Sequence, residues 1–247
     1  MSWFANLFGM ARARRALALA PEQREALANW QQLPAADLSF MHNRGRYVVV
    51  DVETSGLNMK KDRLISIGAV ALVDGRIDFN DVFQVVLRQD RVSTNENILM
   101  HGIGGSAQSE GVEPAAALLS FLGYLGKVPL VAYHAFFDQS MIEKTMLEYL
   151  GVELGQTWID LAWVLPSLFP NPIESRATLD DWLKLFAIEN IVRHNAVSDA
   201  YATAKLLQVA IAASNQKGVL SPAGFIRMEK DRQLPHKIGS SDGLVCG

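Results

Sequence analysis

Apolar and polar positions divide the chain into segments of different period. From Tyr47 the sequence runs Tyr-Val-Val-Val and then meets Asp51 and Glu53. That composition is a buried strand, and alternation puts Tyr47, Val49, Asp51 and Glu53 on one face. Val48, Val50 and Val52 point to the other. Both faces begin apolar, so the pattern predicts a central strand covered on both sides. Leu64 to Val73 is a second apolar strand, Asp74-Gly75 a hairpin turn, and Ile77 to Leu87 a third strand. Three antiparallel strands therefore come first, followed by a polar loop over Arg88 to Met100.

Beyond that loop the period changes. Helices are predicted over Pro114–Leu125, Phe136–Leu150, Leu161–Leu168 and Thr178–Phe186, the last with Thr178 and Asp181 in capping-box positions. A long helix capped by Ser198 runs to about Ala213. Strands over Pro129–Tyr133 and Trp158–Asp160 are interleaved with these helices, and Pro166, Pro170 and Pro172 break the chain. Asp160 fits the N-cap before Leu161. Strands first and alternating elements afterwards predict an α/β sandwich around a mixed sheet. Residues 1–43 read as a helical extension, 44–214 as the main domain and 215–247, rich in Gly, Pro and Ser, as a loosely ordered tail. In the extension, Trp3, Phe4, Leu7 and Phe8 fall at helical spacing, and a second helix runs from Pro21 to Leu33. These helices either pack on the main domain, where Leu27 and Trp30 would need cover, or dock a partner or a membrane surface.

Some carboxylates break the pattern. Asp138 shares a helix face with Ile142, Met146 and Tyr149; Asp199 shares one with Ala202, Leu206 and Ala210. Singly, each is an acid at a helix N-terminus, favoured by the helix dipole. With Asp51 and Glu53 they make four carboxylates aimed inward, a cost that metal ions commonly offset. Asp51 and Glu53 alone would also fit a strand that runs out into solvent. His194 lies five residues before Asp199, and imidazole is the side chain that moves protons near neutrality; a structural histidine is the other reading.

Composition adds bounds. The 247 residues are 49% hydrophobic, enough for one sizeable core with extensions or two small domains. The net charge of -3 provides no global basic field, so a nucleic-acid partner would be held locally. Lys60 and Lys61, in the loop after Gly56, are the nearest candidates for phosphate contacts, with solvated loop lysines as the other reading. The single cysteine, Cys246, suits a reducing compartment. No apolar run has the length of a membrane span, and the N-terminus does not read as a signal peptide. The expectation is a cytoplasmic protein.

The motifs, taken in order, resemble a known family. Asp51-Val-Glu-Thr-Ser-Gly-Leu57 followed by Asp62 to Val70, then His101-Gly102-Ile103, Val131 to Asp138, and His194-Asn-Ala-Val-Ser-Asp199-Ala200 are similar to the motifs of the DEDDh (DnaQ-like) 3′→5′ exonucleases. That group includes the epsilon proofreading subunit of bacterial replicative DNA polymerase. The resemblance covers about Arg46 to Ala213 and implies a ribonuclease H-like sheet flanked by helices. It also implies two divalent ions, Mg²⁺ or Mn²⁺, held by Asp51, Glu53, Asp138 and Asp199, with His194 taking a proton from the attacking water. Thr54, Leu57, His101 and Phe137 would contact the terminal nucleotide; for Leu57, His101 and Phe137, core packing or loop structure is the other reading. In one departure, Tyr133-His134-Ala135 stands where the family shows His-Asn-Ala, so the family's nucleotide contacts are not carried over there.

The implied activity is release of nucleoside 5′-monophosphates from the 3′ end of single-stranded or frayed DNA, in proofreading or repair. An RNA-trimming enzyme of the oligoribonuclease or ribonuclease T type is the alternative. A non-catalytic nucleic-acid-binding module would be expected to have lost one of the five residues, and all five are present. A polymerase is a candidate partner through the N-terminal helices.

Overall fold

The structure is a computed structural model and describes residues 19–170 and 177–238. Helix α1 spans Pro21–Gln32. Strands β1 (Arg46–Thr54), β2 (Leu64–Val73) and β3 (Arg76–Val86) follow. Next come α2 (Asn95–His101), α3 (Gly105–Ser109), α4 (Pro114–Leu125), β4 (Leu130–Ala132) and α5 (Ala135–Tyr149). Strand β5 (Trp158–Asp160), α6 (Leu161–Leu168), α7 (Leu179–Leu185), α8 (Ala196–Gln216) and α9 (Pro222–Ile238) complete the order.

The sheet order is β3-β2-β1-β4-β5, with β1, β2 and β3 antiparallel and β4 and β5 parallel to β1. This mixed sheet, flanked by helices and preceded by an N-terminal helix, has the expected ribonuclease H-like arrangement. Strand β1 is central, and its two faces feed two cores. Val48, Val50 and Val52 pack with Leu118 and Phe121 of α4 and with Ile142 and Met146 of α5. Tyr47 and Val49 pack with Leu161 and Leu165 of α6 and with Leu206 and Ala210 of α8. The alternation along β1 thus sorts its apolar residues between layers, and Asp51 and Glu53 continue the row facing α8.

Gly68 brings α8 close. It pairs with Asp51 across β1 and β2, and a Cβ there would lie 2.3 Å from the carbonyl carbon of Ala196. Only a residue without a side chain lets the start of α8 rest directly on β2 beside Asp51.

Four expectations need correction. The stretch read as a loop over Arg88 to Met100 includes α2, which Thr94 caps by accepting from Asn97 N and Gly102 ends in the left-handed region at φ 72°. The cap of α8 is Asn195, which accepts from Ser198 N, whereas Ser198 lies in the first turn and ties the preceding loop through Asn190 and Val192. Pro166 lies inside α6 rather than breaking it. The tail expected to be loose contains α9, whose Phe225 is fully buried. Pro222 opens that helix, since the missing N–H costs nothing in a first turn, and Phe225 contacts the second core.

Helix α1 packs through Leu27 and Trp30 into the first core, and Trp30 Nε1 donates to Gly126 O at 2.9 Å. Trp3, Phe4, Leu7 and Phe8 lie outside the described residues. Among the described residues no helix is long and apolar enough to cross a membrane.

Candidate active site

The C-terminal end of β1, the first turn of α8 and the start of α5 converge beside a cleft of about 500 Å³. Asp51 and Glu53 sit two residues apart on β1 and so share a face; Asp199, one turn into α8, meets them over Gly68. One carboxylate oxygen from each of the three lies within 4.8 Å of the others. Asp138, in the first turn of α5, stands outside that trio, and its Oδ1 accepts from Val52 N at 3.1 Å. Its charge nevertheless reaches Asp51. Thus three of the four inward carboxylates form a compact group and the fourth is anchored beside it. Ile142 and Met146 continue the buried face of Asp138, while Tyr149 lies at its exposed edge.

The electrostatics follow from the crowding. Burial holds the Asp51 carboxyl well above the usual carboxylate range, and the charges of Asp138, Asp199 and Glu53 push it further. Burial, then Asp199, raises Glu53 to about 7, while Arg193 pulls it down. Burial raises Asp138 to about 8 against the lowering effect of its backbone hydrogen bonds. A small, oxygen-only group of crowded carboxyls is the donor set a hard divalent cation takes, because the cation's charge relieves their mutual repulsion and burial. Asp51, Glu53 and Asp199 could therefore coordinate such an ion.

Asp199 is the most heavily bonded of the trio. His194 N donates to its Oδ2 at 2.9 Å. Its Oδ1 accepts from Asn190 Nδ2 and from Arg193 Nη1, the latter at 2.5 Å. The loop before α8 is thus wrapped on this carboxylate. His194 has φ 59°, is exposed, and lines the cleft. Arg193 and Asn190 were not singled out in the sequence. The one signal available was the position of Arg193 immediately before His194, since their shared hold on Asp199 exists only in the folded loop.

Of the residues expected to meet a nucleotide, Thr54, Leu57 and Phe137 line the cleft. Thr54 Oγ1 donates to Gly56 O at 2.8 Å, securing the turn that projects Leu57, which is 85% exposed. Phe137 is half-buried, its base in the first core. His101 is not among the lining residues: it is buried, paired with Asn97 Oδ1 through Nε2, and its Nδ1 accepts from Ile103 N. Its place at the C-terminal end of α2 turns it toward its own helix, and Asn97 and Met100 of α2 reach the cleft instead. Asp160, expected as a cap, accepts from Ala162 N and also from His134 N, both at 2.9 Å. His134, left-handed at φ 61°, and Tyr133 also line the cleft at the departure from the family pattern.

Comparison with known proteins agrees with this arrangement. Residues 48–207 match the RNase_T family, described as Exonuclease. The chain belongs to that family and carries a DEDDh-type exonuclease domain. It is 30% identical over 167 residues to a PolC-type DNA polymerase III of Clostridium perfringens, covering 66% of this chain but 11% of that protein. It is 27% identical over 177 residues to a DNA polymerase III subunit epsilon of Buchnera aphidicola, covering 67% of this chain and 74% of the relative. Among solved structures, E. coli Exonuclease I in complex with a dT13 oligonucleotide has a similar fold, with TM-score 0.59 and 17% identity over 70% of this chain and 42% of that one. Exonuclease X in complex with 5′ overhanging duplex DNA has TM-score 0.58 and 20% identity over 74% of this chain and 99% of that one.

Proposed function

We propose that this protein is a metal-dependent 3′→5′ exonuclease that removes nucleoside 5′-monophosphates from single-stranded or frayed DNA ends. The observation that carries this reading is the convergence of Asp51, Glu53 and Asp199 at a cleft that His194 also lines. Asp51, Glu53, Asp199 and the adjoining Asp138 would hold two ions, Mg²⁺ or Mn²⁺. Such ions, when bound, supply charge stabilisation to both the attacking and the leaving oxygen.

The chain's own groups supply the rest. His194 is exposed on a loop fixed through its backbone to Asp199, so its imidazole can take the water proton and pass it to solvent. Thr54 secures the turn that presents Leu57, and Leu57 and Phe137 offer apolar surface for the terminal base. A cleft of about 500 Å³ suits one frayed nucleotide rather than an intact duplex end. DNA is favoured over RNA because relatives are named as DNA polymerases and a structural neighbour holds a dT13 oligonucleotide. The same names favour a polymerase as partner and a cytoplasmic setting. Helix α1 is packed on the domain through Leu27 and Trp30, so a partner that docks on it would meet its opposite, exposed face.

The test uses matched 5′-labelled DNA and RNA oligonucleotides with Mn²⁺. The expected result is a ladder shortened from the 3′ end of DNA, with 5′-monophosphate products, abolished by EDTA and by Asp51→Ala or Asp199→Ala. Full activity in EDTA would overturn the metal mechanism, and faster RNA trimming would reassign the substrate.

A further inference from the structure

Arg193 bridges two acids of unlike setting. Its Nη1 bonds Oδ1 of Asp199, which is buried. Its Nε and Nη2 bond Asp180 of α7 at 2.9 and 3.3 Å, on a side chain that is 61% exposed. The guanidinium thus lies on a carboxylate of the proposed cation site while tied to the cleft's outer wall, where Thr178 and Leu179 also stand.

Both oxygens of Asp199 are engaged: Oδ2 by His194 N, Oδ1 by Asn190 and Arg193. An incoming cation needs lone pairs on that carboxylate. His194 N is backbone, and Asn190 is itself held by Ser198 Oγ, which donates to its Oδ1 at 2.8 Å. Arg193 is the donor free to yield, being half-exposed, tethered independently by Asp180, and of the same sign as the arriving ion. We infer that Arg193 is a counter-ion latch: it neutralises Asp199 until a divalent cation enters, then releases it and turns Nη1 toward the phosphate of the bound nucleotide. The guanidinium fork favours that exchange, because its N–H groups match phosphate oxygens as well as carboxylate ones. Arg193 is thereby a positioning residue that couples cation entry to phosphate binding.

This inference rests on the cation-site reading above. Mn²⁺ binding to the full chain is measured by titration calorimetry for wild type, Arg193→Ala and Arg193→Gln, each with folding checked by melting in EDTA. Removing the latch should tighten Mn²⁺ binding about fivefold. In saturating Mn²⁺ the same variants should bind thymidine 5′-monophosphate about tenfold more weakly. An arginine that merely supports the loop predicts the opposite metal result, because a misplaced Asp199 weakens the site. Mn²⁺ affinity unchanged or reduced in both variants, or unchanged nucleotide affinity, would overturn the latch. If the wild type itself binds no Mn²⁺, the cation site fails, and the latch with it.

Discussion

Replacing Asp138 by Asn should stabilise the metal-free protein and destroy its activity. Asp138 is buried and lies among like charges; its Oδ1 accepts from Val52 N at 3.1 Å. Asn keeps that acceptor and removes the charge. The wild-type carboxyl moves from its usual 3.8 to about 8 on folding, so folding is disfavoured increasingly as pH rises between those values. The sign follows from the unfolded chain, where the carboxyl ionises freely above about pH 4 and gains stability that the folded state forgoes. Below about pH 4 both states hold the proton, and the substitution gains nothing. At pH 8 the ceiling is roughly 5 kcal/mol. Water in the neighbouring cleft reduces this to about 2 kcal/mol, or roughly 4–8 °C in Tm for a chain of this size. The assay is thermal melting in EDTA at pH 5 and pH 8 beside turnover in Mn²⁺. The expected pattern is a gain in Tm that is larger at pH 8, with turnover lowered at least about 100-fold. Equal or lower Tm for Asp138→Asn at pH 8 would refute the claim that this carboxylate is electrostatically strained.

Three further outcomes follow from the geometry. Gly68→Ala should displace the start of α8 from β2, since its Cβ would lie 2.3 Å from backbone, and should cost activity about 100-fold; a variant with wild-type turnover and melting would show that α8 can shift harmlessly. His194→Ala should lower kcat about 10²–10⁴-fold with little change in Mn²⁺ affinity, measured by steady-state kinetics and calorimetry; near-normal kcat would remove it as general base. Phe225→Ala should cost about 3–5 kcal/mol in urea unfolding, because the ring is fully buried in the second core; a change below about 1 kcal/mol would mean that α9 is dispensable.

The sequence by itself determined the central strand and its exceptions. A period of two is a local property, so Tyr47 and Val49 could be assigned to one side and Val48, Val50 and Val52 to the other before any partner was known. The same periodicity made Asp51 and Glu53 conspicuous, and helical spacing did the same for Asp138 and Asp199. Capping chemistry is also local, which is why Thr178 with Asp181 and Asp160 with Ala162 stand where they were expected. The local reading made Ser198 the cap of α8, and the fold of the preceding loop put Asn195 there instead. Helix α9 was hidden for a related reason. Its stability comes from Phe225 meeting residues far away in sequence, and the Gly- and Pro-rich surroundings masked its own weak pattern.

Tertiary structure decided the site's composition. Gly68 has no side chain to announce its contact, yet its missing Cβ lets α8 deliver Asp199 to Asp51. It also split the four carboxylates into a compact trio and a neighbouring Asp138, turned His101 away from the cleft, and put Asn97 and Met100 there. Arg193 was one more charged residue until the loop laid it between Asp199 and Asp180. Periodicity reveals which way a side chain faces within its own element; which groups meet across elements depends on distances that only packing sets.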